Sequence, residues 1–416
     1  MVEIPLRGRE PGGQPGQGTV LAAVTDRSSR LRAGQWVEVR AKAEILGTLD
    51  ERGRLDGLPF MPQMLGYCGQ RFKVYKRAHK TCDTVSGVYR GRHLPDGVHL
   101  DLRCSGEAYG GCQAGCLLFW KEAWLQPVAG PIPSEDDGQV RCKPAPLPSA
   151  PVQSTPVQSA GGCTEAAVHR HTLKSVPPEE TRYACQATDL LLFTSPLSGW
   201  DARQYVEDYH SRNVSAARIM RGLIYATYVT YTRAAKPRLG APARWLYDSV
   251  QSFWGGMPFP RRMGTIPAGA PTPVTNLDLQ AGDLVRVKSY QAILATLNDK
   301  GANRNMNYDA ELVPYSGRIF RVRARVEHFI EESTGKMKTM KTPAVILEGV
   351  YCQSRYSDHR MFCPRSIYSW WREVWLERVD AATEQGTAAN AEQAAGPVSP
   401  PARPDASPEP SRSPMA

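Results

Sequence analysis

One stretch of this chain is written twice. The segment Gly34-Gln35-Trp36-Val37-Glu38-Val39-Arg40 reads like Gly282-Asp283-Leu284-Val285-Arg286-Val287-Lys288, an offset of 248 (282 minus 34) that holds without a gap for over forty residues. Ile45 and Ile293, Leu46 and Leu294, Thr48 and Thr296, Gly53 and Gly301, Tyr67 and Tyr315, Gly69 and Gly317, Phe72 and Phe320, Val74 and Val322, and Arg77 and Arg325 all fall in register. The copies end alike: Trp120-Lys121-Glu122-Ala123-Trp124-Leu125 parallels Trp371-Arg372-Glu373-Val374-Trp375-Leu376, now at an offset of 251 (371 minus 120). A period this long excludes a solenoid and implies a duplicated domain. Whatever residues 34–128 fold into, residues 282–379 should fold into as well.

Periodicity within the copies predicts short strands and turns. Val37 and Val39 alternate with polar neighbours, as do Val285 and Val287, the signature of a half-buried strand. Residues 43–49 and 291–297 carry apolar residues three and four apart and read as short helices, ended by Gly53 and Gly301 in turns. Residues 72–76 and 320–323 predict a second strand, and residues 97–102 and 344–350 a third. Ile330-Glu331-Glu332-Ser333-Thr334-Gly335-Lys336-Met337 predicts a hairpin in the second copy. Trp120 and Trp124, like Trp371 and Trp375, are expected to share a helix face with Glu122 or Glu373 exposed between them. The starts Gly-x-x-Val-x-Val and Gly-x-x-Phe-x-Val resemble the edges of SH3-like barrels. The expected fold is therefore α+β, with two homologous small β-barrel-like modules at 33–128 and 281–379.

The chain also resembles an uncharacterised family of bacterial proteins carrying this module in tandem. The resemblance rests on Gly-Asp-Leu-Val-Arg-Val-Lys-Ser at 282–289, Phe362-Cys363-Pro364-Arg365, and the run from Trp371 to Val379. It covers both modules and part of the segment between them, and implies no activity.

Outside the repeats, composition shifts. Of the 416 residues, 34 are Pro and 36 Gly, enough for long unstructured stretches. Residues 1–32 read as a flexible N-terminus, 129–160 as a Pro-rich linker with the near-repeats Pro151-Val152-Gln153-Ser154 and Pro156-Val157-Gln158-Ser159, and 380–416 as a disordered tail. Residues 161–275 read as a mainly helical insert. Its apolar stripes (Tyr205, Val206 and Tyr209; Ile219, Leu223, Tyr225, Ala226 and Val229; Trp245, Leu246, Val250, Phe253 and Trp254) suggest two helices separated near Asn213 and a further short one, all packing as core.

The chemistry-bearing residues are thiols. Ten cysteines in a chain with no recognisable secretory leader are expected to be thiols, metal ligands or redox groups rather than structural disulfides. The tight group is Cys104, Cys112 and Cys116, set among Gly106, Gly110, Gly111 and Gly115. Thiolate is a soft ligand suited to zinc or an iron–sulfur cluster. Cys68 could complete a four-thiolate set, with His79 and Cys82 as alternates. The other reading is small buried hydrophobes, as free cysteines often are, or redox-active thiols. A second set, Cys163, His169, His171 and Cys185, has tetrahedral zinc ligand types, its His-x-His pair facing one side if on a strand. Cys163 or Cys185 could instead join the first group and pin the insert to the module. In the second copy Cys352 stands for Cys104 and Cys363 for Cys112. Ser316 replaces Cys68 and Ile367 replaces Cys116, so only Cys352, His359 and Cys363 remain as a counterpart. His359 with Arg360, Arg365 and Arg372 could bind an anion.

No phosphate-binding loop, dinucleotide fingerprint, His-Glu-x-x-His or Gly-x-Ser-x-Gly is present, so no catalytic motif argues for an enzyme. No apolar run is long enough to span a membrane. The formal charge of +10 is spread along the chain without a basic block, a weak argument for nucleic acid. The sequence reading is a cytoplasmic scaffold that binds another protein or a small ligand and carries a structural zinc. An iron–sulfur or thiol redox protein accessory to an enzyme, and a nucleic-acid-binding protein, are the alternatives.

Overall fold

Each run of the repeat becomes a strand for the reason its alternation implies. A computed structural model describes residues 30–88, 90–131, 162–174, 180–234, 237–253, 263–267, 269–357 and 359–379. The expectations for the first 29 residues, for most of the linker and for the tail lie outside the described residues. In the first copy, β1 (Trp36–Val39) buries Val37 and Val39 completely, each worth about 1.5–3 kcal/mol. It is followed by α1 (Lys42–Thr48), β2 (Arg71–Arg77), β3 (Lys80–Cys82), β4 (Gly91–His93), β5 (Gly97–Leu100), β6 (Trp120–Lys121) and β7 (Leu125–Val128). One antiparallel sheet has the order β6-β5-β2-β1-β7.

The intervening segment supplies α2 (Glu165–Arg170), β8 (Ser195–Leu197), α3 (Arg203–His210), α4 (Ala216–Ala234) and α5 (Pro237–Phe253). β8 extends β3 and β4 into a small three-stranded sheet through its pairing with β4. The second copy then gives β9 (Leu284–Val287), α6 (Tyr290–Leu294), β10 (Ile319–Ile330), β11 (Met337–Tyr351), β12 (Tyr368–Trp371) and β13 (Leu376–Arg378), in the sheet order β12-β11-β10-β9-β13. The protein is thus mixed α+β, built from several small antiparallel sheets and a few helices.

The two five-stranded sheets share strand order and individual bonds. Val37 sits opposite Phe72 and Val285 opposite Phe320. The Trp124 indole N–H donates to Thr48 Oγ1 at 3.1 Å, and that of Trp375 to Thr296 Oγ1 at 3.0 Å. Asp50 and Asn298 each accept two backbone N–H groups in the turn before Gly53 and Gly301, whose φ of 72° and 74° are left-handed.

Several expectations are corrected. Among the described residues neither sheet closes into a barrel. β6 and β7 would have to bond to one another, but the 3-10 turn Glu122–Trp124 between them sends them to opposite edges. The tryptophan pairs therefore lie one on a strand and one on a 3-10 turn, not on a helix face. Glu122 and Glu373 are not free in solvent. Glu373 is buried, pairs with Arg325 at 3.0 Å and accepts the backbone N–H groups of Leu277 and Leu279. Glu122 pairs with buried Arg77 and accepts the N–H of Leu31.

The insert does not pack as uniformly as its stripes suggest. Tyr225 and Val229 are buried, Tyr225 against Tyr356 of the second copy. Leu223, Trp245, Leu246 and Val250 face solvent, as do Val206 and Tyr209. The insert is held by both modules. Within the unit that begins at Leu31, α3 sets Asp208 against Lys80 at 2.6 Å. Gly222 of α4 lies so close to the Phe362 ring that a Cβ there would meet it at 2.4 Å.

Candidate metal centre

An isolated antiparallel bridge between Arg103 and Leu117 starts the site. It places Cys104 opposite Cys116, with the Cys104 N–H donating to the Cys116 carbonyl at 2.8 Å. Directly opposed residues point to the same face, with Cβ atoms roughly 4.5–5.5 Å apart. The chain then reverses through left-handed Gly106, Gly110 and Gly111. Glycine at 106 is required twice over, by a φ of 78° and because a Cβ would meet the Cys112 carbonyl oxygen at 2.0 Å. The turn returns Cys112 to the cavity, where its sulfur accepts the N–H of Ile330 at 3.3 Å.

The fourth thiol comes from the insert. Cys185 lines the same cavity as Cys104, Cys112 and Cys116, together with Tyr109, Glu332 and Arg365. It is held there by Thr188 Oγ1, which accepts its N–H at 2.9 Å. The next residue, Gln186, bonds the Phe119 N–H and carbonyl at 2.8 and 2.9 Å, so the segment is stitched onto the first module.

Electrostatics explain the resting state of these sulfurs. Burial pushes the Cys104 thiol up to about 12 and raises Cys116 and Cys185 as well. Cys104, Cys116 and Cys185 are therefore thiols rather than thiolates at neutral pH. Buried Arg365 stands beside the group; burial works against its charge, but Glu332 at 3.0 Å holds it cationic. Among the described residues, no group of three or more His, Cys, Asp or Glu side chains is placed to hold a metal ion. A change of χ1 rotamer swings a sulfur by roughly 3 Å, which sets the scale of the closure that a cation would have to induce.

Cys68 stands apart from this group. It caps the 3-10 helix Pro62–Tyr67, and its charged neighbours are Lys42 and Glu165. His79 is buried against α3, its Nε2 at 3.2 Å from the Gln204 carbonyl; burial and then Lys80 hold its pKa well below the usual histidine range. The second proposed set is dispersed. Cys163 is buried, its N–H donating to the Leu46 carbonyl at 3.1 Å. His169 lies in the last turn of α2 and His171 at its C-cap, not on a strand, and His169 is exposed. Cys185 has gone to the first module instead.

In the second copy His359 is exposed. Its place beside Cys352 and Cys363 is taken by Cys82, whose thiol is hydrogen-bonded to the Cys363 sulfur. That bond lowers the Cys363 pKa, against a burial that raises it. The arginines of the expected anion site are otherwise engaged. Arg365 holds Thr84 and Glu332, while Arg372 donates to the carbonyls of Thr342, Pro343 and Arg304. Sequence reasoning reached Cys104, Cys112 and Cys116 by proximity and had Cys185 only as an option. It had Cys82 only as an alternate for the first set, because nothing local says that a strand end in one copy meets a loop in the other. Comparison with protein-family models found no match to this chain, and comparison with curated proteins found none either.

Proposed function

We propose that the chain is a tandem-module scaffold of two diverged, open SH3-like modules, in which a structural zinc held by Cys104, Cys112, Cys116 and Cys185 pins the insert to the first module. The observation that carries this reading is the arrival of Cys185, from the insert, in the cavity of three first-module thiols. Four cysteines are a standard donor set for structural zinc. Four thiolates and one Zn²⁺ leave a net charge of −2, which buried Arg365 partly offsets. The shared strand order and the paired indole–threonine bonds support common descent of the modules. A binding role is supported by the apolar side chains that α4 and α5 leave in solvent, Ile224, Trp245 and Leu246 among them. The partner on this reading is another protein.

The test is metal analysis on protein purified without oxygen, beside a C185S variant. Zinc without colour is expected, with one equivalent lost in C185S and the insert becoming more sensitive to protease. Unchanged zinc content in C185S would overturn the assignment. Iron with sulfide and visible absorption would replace it with a redox cofactor.

A further inference from the structure

We propose a second metal site, formed by Cys82 of the first module with Cys352 and Cys363 of the second, binding a soft divalent ion such as zinc with its fourth position open to a cavity. It goes beyond the first site and uses none of its ligands.

The two cysteine loops are the same loop. The Cys352 N–H donates to the Ile367 carbonyl at 2.8 Å, as that of Cys104 does to Cys116 at 2.8 Å. The Phe362 N–H donates to the Ser354 carbonyl at 3.0 Å, as that of Gly111 does to Gly106 at 2.9 Å. By the offsets of the repeat, Ser354, Phe362 and Ser366 stand where the first copy has Gly106, Gly111 and Gly115. Those glycines have φ of 78°, 75° and 58°, and their replacements keep φ of 48°, 61° and 44°. Left-handed backbone costs a residue with a side chain about 1–2 kcal/mol. The second copy therefore follows, without glycine and under strain, the same path as the first. Strain retained in this way points to a function for the loop rather than to packing alone.

Each loop is completed by a cysteine from elsewhere in the chain: Cys185 in the first, Cys82 in the second. Cys82 ends β3, which is fixed by Lys80 on Asp208, and its thiol contacts the Cys363 sulfur. Cys363 is fixed by its neighbour Phe362, pressed against Gly222 of α4. The copies differ at one ligand. Ile367 replaces Cys116, so the second site, with Cys82, has three thiolates where the first, with Cys185, has four. Three protein ligands plus an exchangeable one is the pattern of an open zinc site. Cys82 and Cys352 both line a cavity shared with Thr84, Glu311, Arg360 and Tyr368, from which a water or a small anion would fill the fourth position.

The test uses full-length protein purified without oxygen and loaded with zinc, then with cobalt(II). Two metals per chain are expected. C82S, C352S and C363S should each remove one, C185S should remove the other, and C185S/C363S should remove both. The two sites therefore fail separately: if only the first assignment is wrong, C185S changes nothing while C82S still removes a metal. Because a serine variant can misfold, the open position is tested in the intact chain. Adding cyanide or imidazole should shift the cobalt spectrum of the wild type, and I367C, which supplies the missing thiolate, should abolish that shift. Retention of both metals in C82S would overturn the proposal. So would a mass two hydrogens lower than that of the free thiols, assigned to a Cys82–Cys363 disulfide in protein that binds no metal there.

Discussion

At the scale of single residues, burial keeps the interior histidine His99 neutral. His99 is fully buried, its Nδ1 donating to the Leu118 carbonyl at 2.8 Å, and burial lowers its pKa to about 3. An unfolded chain protonates this group at about 6.5. Between about pH 6.5 and 3 the unfolded state therefore binds one more proton than the folded state. The contribution of His99 is fully present above pH 6.5 and is lost as pH falls, at up to about 1.4 kcal/mol per pH unit. Urea unfolding of wild type and His99→Gln at pH 7.5, 6 and 5 should show a shallower fall for the variant. Parallel curves would mean that His99 does not carry the effect. This residue was invisible in the sequence, where a lone histidine in a strand says nothing about its depth. The cysteines were more legible, because glycine spacing reports turn geometry directly. Cys68, expected before a strand at Gly69 as a possible fourth thiolate, instead caps the 3-10 helix Pro62–Tyr67.

Among secondary-structure elements, the repeat made most of the fold readable. β1 and β9, α1 and α6, and the hairpin between β10 and β11 fall where alternation, helical spacing and Gly335 predict them. What failed was the Trp-x-x-x-Trp motif. Its spacing suits a helix, but the chain crosses from one edge strand to the other at that point, and strand pairing overrides the local pattern. The last tryptophan of each copy then finds a threonine at the end of the short helix. Thr48→Val and Thr296→Val leave a buried indole N–H without a partner, which costs about 1–3 kcal/mol. Denaturant midpoints of the two variants should fall by similar amounts. A loss confined to one copy would show that the two bonds are not equivalent in energy.

At the scale of the whole molecule, the insert is the joint. Lys80 in the first module is buried with Asp208 of α3, and its ammonium lies over the rings of Tyr205 and Phe362 at 4.9 and 5.7 Å. Burial lifts Asp208 to about 6, opposed by Lys80, and lowers Lys80 itself, so desolvation outweighs much of the attraction. Removing one partner strands a buried charge and costs about 3–5 kcal/mol, whereas replacing both with apolar side chains is near neutral. D208L alone should unfold at markedly lower denaturant than wild type, and K80M/D208L should recover most of the loss. If the double variant is as unstable as the single one, the pair is not the joint.

The sequence by itself determined the duplication, the strand and turn order within each copy, and the positions at which the copies diverge. These are local or periodic properties, carried by side-chain alternation, glycine placement and register. Tertiary structure alone decided that the sheets stay open, that Glu122 and Glu373 pair with arginines, and that Cys185 comes to lie in a cavity with first-module cysteines and Cys82 in one with Cys352. The physical reason is that burial and convergence depend on which faces meet, and a side chain's periodicity states only that it has a face, not what that face will be pressed against.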